Sequence, residues 1–434
     1  RMLVTMAVSL YTSRVVLNIL GVEDFGIYNV VGGIVAMFGF INGSMTSATQ
    51  RYLTFELGQN NRAQLTKVFS TSLSIHGIIS FLIIVLAETV GLWFLWNKMQ
   101  IPADRMNAAF WVFQCSVAAS VIMIMSVPYN AAIIAHERMS AFAYISIIEV
   151  SLKLLIVCFL RYFHTDKLIL YAVLIVIVQF LIRLCYSWYC NRHFNETKYR
   201  WSWDKGLFKE MTGFASWNMF GSLAAITFTQ GLNLLLNMFF GPVVNAARGI
   251  AVQAQTAIGQ FSSNFQTALN PQITKSYATG DMEYMHGLIF RSAKFSFFLL
   301  LLLSLPVLIE TKAILTLWLK IVPDHTVVFL RIMLCTTWVY AVSNPLITAA
   351  SATGKIKLYQ SVVGGLLLLI LPISYLCLRF GLPAYSVFIV HLVIEITAQF
   401  ARLLMLKRMI KLSLREYFSK VVWCIFKVTA IALA

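Results

Sequence analysis

Long apolar segments recur along almost the whole chain and constrain its fold more than any other feature. A helix needs about 20 apolar residues to cross a bilayer, and each segment is about that long or longer. We expect twelve complete spans, near residues 2–20, 27–54, 68–96, 107–135, 140–162, 167–190, 208–240, 243–272, 288–319, 325–352, 357–379 and 383–406. A further span begins near residue 417. Because the sequence starts at Arg1 and ends within an apolar run, we expect the full protein to be longer.

The composition agrees with a multi-span membrane protein. Hydrophobic residues make up 59% of the 434 residues and charged residues only 12%, whereas soluble domains carry about 25% charged residues. Lysine and arginine concentrate on alternate loops, at 62–67, 138, 192–205, 275, 355–357 and 407–415. The positive-inside rule places these loops and the amino terminus in the cytoplasm. Much of the net charge of +17 therefore follows from topology, and we expect no nucleic-acid partner.

The two halves of the chain resemble each other. Gly21 in "LGVEDFG" matches Gly241 in "FGPVVNA", and Pro128 matches Pro345. The offset stays near ~220 residues, which indicates an internal repeat. Each half holds six spans, so both halves enter the membrane from the same side, as in transporters whose lobes are related by an axis along the membrane normal. We predict an amino-terminal lobe at 1–190, a cytoplasmic linker at 191–207, a carboxy-terminal lobe at 208–406, and a truncated extra helix at 407–434.

The sequence carries no recognisable catalytic or metal-binding pattern. The seven cysteines form no CxxC pair, and the seven histidines form no HExxH motif. There is no GxxxxGK[ST] phosphate loop, and the predicted outer loops are too short to house an enzyme site. We therefore expect a transporter that uses alternating access, with no cofactor and no metal, and not an enzyme.

Charged residues inside the predicted spans are the first candidates for a functional site. Arg14 lies mid-span, where an arginine costs ~2.5 kcal/mol or more. It is tolerated either because it meets a phosphate in a hydrated cavity or because it bonds to helix-end carbonyls or an acid. Lys153 and Arg248 are further substrate-binding candidates. Glu395 and Glu149 are ion-coupling candidates, although Glu395 can pair with a base and Glu149 lies four residues before Lys153, the spacing of an ion pair within one helix.

Amide side chains cluster on the two spans at 208–240 and 243–272. Asn233 and Asn237 share one helix face, Gln230 precedes them, and Gln253 lies on the next span. Polar residues between membrane helices often serve packing alone. Their concentration on two adjacent spans favours a wet cavity that hydrogen-bonds a sugar. Because bases outnumber acids deep in the spans, an anionic group such as phosphate is the favoured companion of that sugar.

The segments "SRVVLNILGVEDFGIYNVVGGIV" and "NPQITKSYATGD" resemble the polysaccharide transporter family, which flips lipid-linked oligosaccharides. The wider superfamily includes multidrug and toxin extrusion transporters. This resemblance implies an all-α membrane protein of two six-helix lobes related by a pseudo-two-fold axis along the membrane normal, plus one or two carboxy-terminal helices. It also implies cavity arginines for pyrophosphate, with Arg14 the position that fits and Arg248 a weaker match.

The implied function is flipping of undecaprenyl-pyrophosphate-linked oligosaccharide across the bacterial inner membrane, for O-antigen or capsule synthesis. Partners would be that lipid, membrane lipids and, as further candidates, other polysaccharide-assembly proteins. One alternative is an ion-coupled multidrug exporter of the same fold, although the span around Arg14 carries a base and no acid. A second alternative is a membrane glycan polymerase or ligase, which needs a larger outer loop.

Overall fold

The structure, a computed structural model, describes residues 8, 11–12, 15–16, 19–21, 24–28, 31–32, 39–97, 99, 101–160, 166–198, 204–319 and 322–433. Over these residues the chain forms helices joined by short turns, with no strand. A helix satisfies its backbone hydrogen bonds within one segment, which is what a chain crossing lipid requires. The predicted all-α class is confirmed.

We number the helices from the first whose bounds the structure gives. In order along the chain they are α1 Gly39–Gly58, α2 Arg62–Asn97, α3 Met106–Ala135, α4 Met139–Leu160, α5 Lys167–His193, α6 Lys205–Gly241, α7 242–279, α8 Met282–Ile309, α9 Thr311–Leu319, α10 Thr326–Ala352, α11 Lys357–Arg379, α12 Ser386–Met409 and α13 414–433. A short 3₁₀ turn, Asn195–Thr197, follows α5.

Nine helices in the described ranges are long and apolar enough to cross a membrane, namely α2, α3, α4, α5, α6, α8, α10, α11 and α12. They coincide with nine of the twelve predicted spans. Only 28% of the most apolar window of α2 is buried within the protein, so much of its apolar surface is left for lipid. The predicted spans 2–20 and 27–54 lie partly outside the described residues, and 243–272 forms a helix, α7, that is not among the nine.

Two predicted spans differ in detail from the helices observed. The span predicted at 288–319 is two helices, because Glu310 adopts a non-helical conformation (φ −98°, ψ 34°) between α8 and α9. Between α6 and α7 the backbone leaves the helical region at Gly241 (φ 78°, ψ −174°). This region of φ and ψ is accessible almost solely to glycine. Gly21, the predicted repeat partner of Gly241, also has a positive φ, 82°.

Side-chain caps mark where several helices begin. The Asn61 side chain accepts a hydrogen bond from the backbone N–H of Gln64 at the start of α2. Asp166 caps α5 and Asp281 caps α8 in the same way. Each cap satisfies a backbone donor that the first turn leaves without a partner. Asparagine and aspartate therefore end the loops and fix where the spans start.

The chain divides into two compact units, Arg1–Ala215 and Ser216–Ala434, and the division falls within α6. The first unit has a core of buried apolar residues that includes Leu95 and Phe113. The second unit has two such cores, one that includes Phe329 and one that includes Tyr417. The predicted lobe and linker limits, 1–190, 191–207, 208–406 and 407–434, stay predictions.

Candidate functional site

Arg248 on α7 is the one predicted substrate-binding cation that the structure shows buried, with 8% of its surface exposed. Its Nη1 donates to Asn233 Oδ1 at 3.2 Å, and its Nη2 donates to the Thr229 backbone oxygen at 2.8 Å. Both acceptors lie on α6, one helical turn apart. Asn233 precedes the break at Gly241 by eight residues and Arg248 follows it by seven. The chain reverses direction at this break, so the two side chains come together.

The charge of Arg248 meets neutral oxygens and no acid. Within the described part of the chain Arg248 forms no salt bridge, and its buried Nε has no hydrogen-bond partner. A guanidinium carries five N–H donors, so donors remain for a further acceptor. A buried ion without a counter-ion costs several kcal/mol, and an anion bound at Arg248 would offset that cost.

The other predicted amides divide into two groups. Asn237, Gln230 and Gln253 are exposed, whereas Asn233 is half-buried and holds Arg248. On α7 the exposed polar residues follow helical spacing and form what we call the polar stripe, which consists of Gln253, Thr256, Gln260, Ser263 and Asn264. The stripe is neutral and rich in amides and hydroxyls, the groups that hydrogen-bond sugar hydroxyls.

Two neighbouring glutamines have packing roles instead. Gln255 Nε2 donates to the Thr337 hydroxyl at 2.8 Å and to the Met333 backbone oxygen at 3.1 Å. Gln266 Nε2 donates to the Ala341 backbone oxygen at 2.8 Å. These bonds fix α7 against α10, as polar side chains do between membrane helices. A cavity of about 230 Å³ lies beside them and includes Gln260 and Ser263 of the polar stripe in its lining.

Lys153 and Glu149 are paired. Lys153 Nζ lies 2.6 Å from Glu149 Oε1 within α4, and Gln179 of α5 donates to the same oxygen at 3.3 Å. The two side chains are 35% and 26% exposed. Their charges cancel, which is the ion-pair alternative that the sequence left open. Arg14, the other predicted cation, lies outside the described residues.

Glu395 is also paired, with a base that sequence reasoning did not select. Arg402 Nη1 lies 2.8 Å from Glu395 Oε1, and the two side chains are 3% and 5% exposed. The residues are seven apart on α12, so they share one face two turns apart. That spacing is the signal that could have identified the pair. Arg402 compensates the charge of Glu395, which leaves Arg248 as the unbalanced charge among the buried candidates described.

The Glu395–Arg402 pair belongs to a larger hydrogen-bond network. Arg402 Nη1 donates to the Ser343 hydroxyl at 3.2 Å, and that hydroxyl lies 2.6 Å from Gln399 Oε1. Gln399 in turn donates to the Tyr417 hydroxyl at 3.3 Å. The network joins α12 to α10 and α13, as hydrogen-bonded side chains do between membrane helices. We therefore assign Arg402 a structural role.

Arg105, at the start of α3, holds two acids together outside the spans. Its Nε donates to Asp24 Oδ1 at 2.8 Å, Nη2 also contacts Asp24, and Nη1 donates to Asp166 Oδ2 at 2.9 Å. The hydrogen bond to Asp24 and the negative charges of both aspartates raise the pKa of Arg105, although partial burial opposes the shift. This cluster ties the turn before α3 to the start of α5.

The chain just after α5 is anchored to the end of α3. Glu196 Oε1 lies 2.5 Å from His136 Nε2, and the His136 ring stacks on Phe194 with centroids 3.9 Å apart. Burial raises the pKa of Glu196, but the hydrogen bond from His136, a backbone hydrogen bond, and the charges of His136 and Arg62 outweigh it and lower the pKa. The first residues of the predicted linker are thus held against the first unit.

Comparison with known families identifies the chain. A family model described as "Polysaccharide biosynthesis protein" matches residues 2–277. The chain belongs to this family. No curated protein matches the chain at a significant level. In the described ranges of the same protein, no three histidine, cysteine, aspartate or glutamate side chains are grouped to hold a metal ion.

Solved structures show the fold. The chain is similar to an outward-facing multidrug resistance MATE family transporter of the MOP superfamily (13% identity, 94% of each chain covered, TM-score 0.79). It is also similar to the Vibrio cholerae MATE transporter VcmN in its bent form (16% identity, 97% of this chain and 96% of VcmN, TM-score 0.79). A third similar structure is the MATE transporter ClbM in complex with Rb⁺ (13% identity, 96% of each chain, TM-score 0.72).

At these identities the likeness shows the fold alone. That fold is the one of MATE transporters, and the family match over residues 2–277 confirms the resemblance to a polysaccharide family that the sequence indicates. The chain is therefore a multi-pass membrane protein with nine candidate spans in its described ranges.

Proposed function

We propose that this protein is a flippase. Its substrate is an oligosaccharide linked to undecaprenyl pyrophosphate, moved by alternating access from the cytoplasmic to the outer leaflet of a bacterial inner membrane for surface polysaccharide synthesis. The amino terminus lies in the cytoplasm. Its partners are this lipid, the surrounding membrane lipids and other polysaccharide-assembly proteins. The family match to residues 2–277 supports a role in polysaccharide biosynthesis.

The observation that carries the proposal is the buried, unbalanced charge of Arg248. Glu395 and Lys153 each have a partner of opposite charge, whereas in the described part of the chain Arg248 is held by the neutral oxygens of Asn233 and Thr229. Arginine binds phosphate oxygens with paired hydrogen bonds, and a low dielectric strengthens the contact. A pyrophosphate group would supply the counter-charge that the described residues do not place beside Arg248.

The polar stripe suits the glycan part of the same substrate. Its amides and hydroxyls can donate and accept hydrogen bonds, and none of its members is charged. The nearby cavity of about 230 Å³ is smaller than most small-molecule sites, which span about 300–1,000 Å³. We therefore assign the whole polar stripe to a chain of sugars, with this cavity, which Thr256, Gln260 and Ser263 line, as one part of that surface.

One observation favours a second candidate, an ion-coupled drug exporter. The similar solved structures are of MATE transporters, one of them a multidrug resistance transporter and another in complex with Rb⁺. An exporter of cationic drugs would use an acid such as Glu395 for ion coupling. In this chain that carboxylate is held by Arg402 at 2.8 Å, which weighs against such a role.

Variants of Arg248 test the proposal. Proteoliposomes would carry a fluorescent oligosaccharide on polyprenyl pyrophosphate, and flipping would be compared between wild type, Arg248→Gln and Arg14→Gln. Loss of a charged hydrogen bond is worth about 1.5–3 kcal/mol, so Arg248→Gln should lower lipid affinity roughly 10- to 100-fold. The matched control is Arg331→Gln, since Arg331 is exposed and bonds to Thr311 and the Ile309 backbone oxygen.

The expected result is slow flipping by Arg248→Gln and near wild-type flipping by Arg331→Gln. Equal flipping by wild type and Arg248→Gln would remove the phosphate role of Arg248. Loss of flipping in Arg14→Gln as well would place a second phosphate contact at Arg14. Failure of the wild type to flip this lipid would refute the flippase assignment.

A further inference from the structure

His391 on α12 packs on the turn of α6 that accepts a hydrogen bond from Arg248, and it has no assigned role. Its imidazole ring packs on the Phe228 ring, with centroids 4.9 Å apart. The next residue along α6 is Thr229, whose backbone oxygen accepts the Arg248 hydrogen bond at 2.8 Å. His391 and Arg248 therefore approach the same turn of α6 from two different helices, and the two side chains are close enough to interact electrostatically.

The remaining charged neighbours of His391 are already neutralised. Glu395 lies one turn further along α12, and its negative charge interacts with His391. The Glu395 carboxylate is, however, paired with Arg402. Tyr340 of α10 and Tyr359 of α11 face the Glu395–Arg402 pair. From α7 the facing charge is Arg248. Within the described residues, Arg248 is therefore the facing charge that no group of opposite sign offsets.

His391 is half-buried, so its ring is shielded but not sealed from solvent. An imidazole changes charge within the physiological pH range. Protonating it while Arg248 is unoccupied would place two positive charges side by side in a region of low dielectric. An anion at Arg248 removes that repulsion, so anion binding and protonation of His391 favour each other.

We propose that His391 is a second, proton-dependent anion contact that makes the Arg248 site selective for a diphosphate over a monophosphate. This inference rests on the proposed function. A diphosphate presents two charged groups, and the site matches them with one permanent cation, Arg248, and one that forms when the imidazole takes a proton from solution. A monophosphate needs only Arg248 and gains little from the second contact.

The test is equilibrium binding of two lipids, polyprenyl pyrophosphate and polyprenyl monophosphate, to the full chain in nanodiscs at pH 6.0 and pH 8.0. Inorganic pyrophosphate is a third probe, which separates recognition of the free anion from recognition of the lipid. The variants are His391→Gln and His391→Asn. The control is His286→Gln, because His286 on α8 bonds to the Ile410 backbone oxygen instead. Comparing proteins at one pH cancels the ionisation of the ligands themselves.

We expect wild type and His286→Gln to bind polyprenyl pyrophosphate about tenfold more tightly at pH 6.0 than the His391 variants do, within the 5- to 150-fold range of coupled sites. At pH 8.0 all four proteins should bind polyprenyl pyrophosphate alike, and at each pH value all four should bind the monophosphate alike. If both His391 variants kept the pH dependence and the diphosphate selectivity of the wild type, the inference would be overturned and the flippase proposal would stand. Failure of the wild type to bind polyprenyl pyrophosphate at either pH would overturn both.

Discussion

The Glu395–Arg402 pair offers a quantitative test of which buried charges are structural. The two side chains are 5% and 3% exposed and their charged atoms lie 2.8 Å apart. Removing one partner of a buried pair costs about 3–5 kcal/mol, because the other charge is left buried and uncompensated. Glu395→Gln strands Arg402, which cannot lose its proton. We therefore expect Glu395→Gln to lower the free energy of unfolding by about 3 kcal/mol or more.

Replacing both partners should behave differently. The double variant Glu395→Met with Arg402→Met removes both charges while keeping similar volume, and such replacements of buried pairs are often neutral or stabilising. The surface control is Glu416→Gln, because Glu416 pairs with Lys420 at 2.6 Å with both side chains more than half exposed. It should leave the free energy of unfolding nearly unchanged.

The assay is reversible unfolding in mixed micelles, with the free energy of unfolding measured for each protein. A Glu395→Gln variant as stable as Glu416→Gln would refute the reasoning. A double variant as unstable as Glu395→Gln would show that the network around Ser343 and Gln399, rather than charge compensation, sets the stability.

Three further predictions concern the backbone and the loops. Gly241→Ala forces a side chain into the conformation at φ 78° and should lower the free energy of unfolding by about 1–3 kcal/mol. Gly249 is a helical position with open space around it, so Gly249→Ala should raise the free energy of unfolding by about 0.5–1 kcal/mol. The unfolding midpoints of the two variants measure both effects. Arg105→Gln should destabilise by roughly 1 kcal/mol, since its pairs are partly exposed, and the loss should shrink in high salt. Because the pKa of Glu196 is lowered in the folded protein, its contribution to stability is present above about pH 4.5 and is lost as pH falls through the folded-state pKa. Glu196→Gln should remove this acid-dependent loss of stability. Unfolding of both proteins between pH 3 and pH 7 measures it.

The membrane spans follow from sequence because hydropathy is a local property. The nine confirmed helices begin and end within a few residues of the predicted limits, with two exceptions. The first, α2, starts at Arg62 rather than at 68, and the second, α8, starts at Met282 rather than at 288 and ends at Ile309, where α9 takes over the rest of that predicted span. The two early starts have the same cause. A polar first turn, begun by the caps Asn61 and Asp281, lengthens the helix beyond its apolar segment.

The partners of the buried charges were harder to predict. Lys153 and Glu149 are four apart, and their pairing was among the predicted alternatives. Arg402 is not among the predicted site residues, although its spacing from Glu395 places both on one helix face. The reason that such partners are hard to predict is physical. Sequence gives the helix face of a residue but not whether that face meets lipid, water or another helix, and this also explains why Gln255 packs on α10 while Gln253 is exposed.

The central claim is the class of substrate, and one measurement tests it most directly. Wild-type protein in a single preparation of proteoliposomes would be given two substrates, a fluorescent polyprenyl-pyrophosphate oligosaccharide and a lipophilic cationic dye, under the same ion gradients. Our account predicts that the lipid-linked oligosaccharide changes leaflet and that the dye is not transported. Dye transport without movement of the oligosaccharide would contradict it, and would identify the protein as a drug exporter.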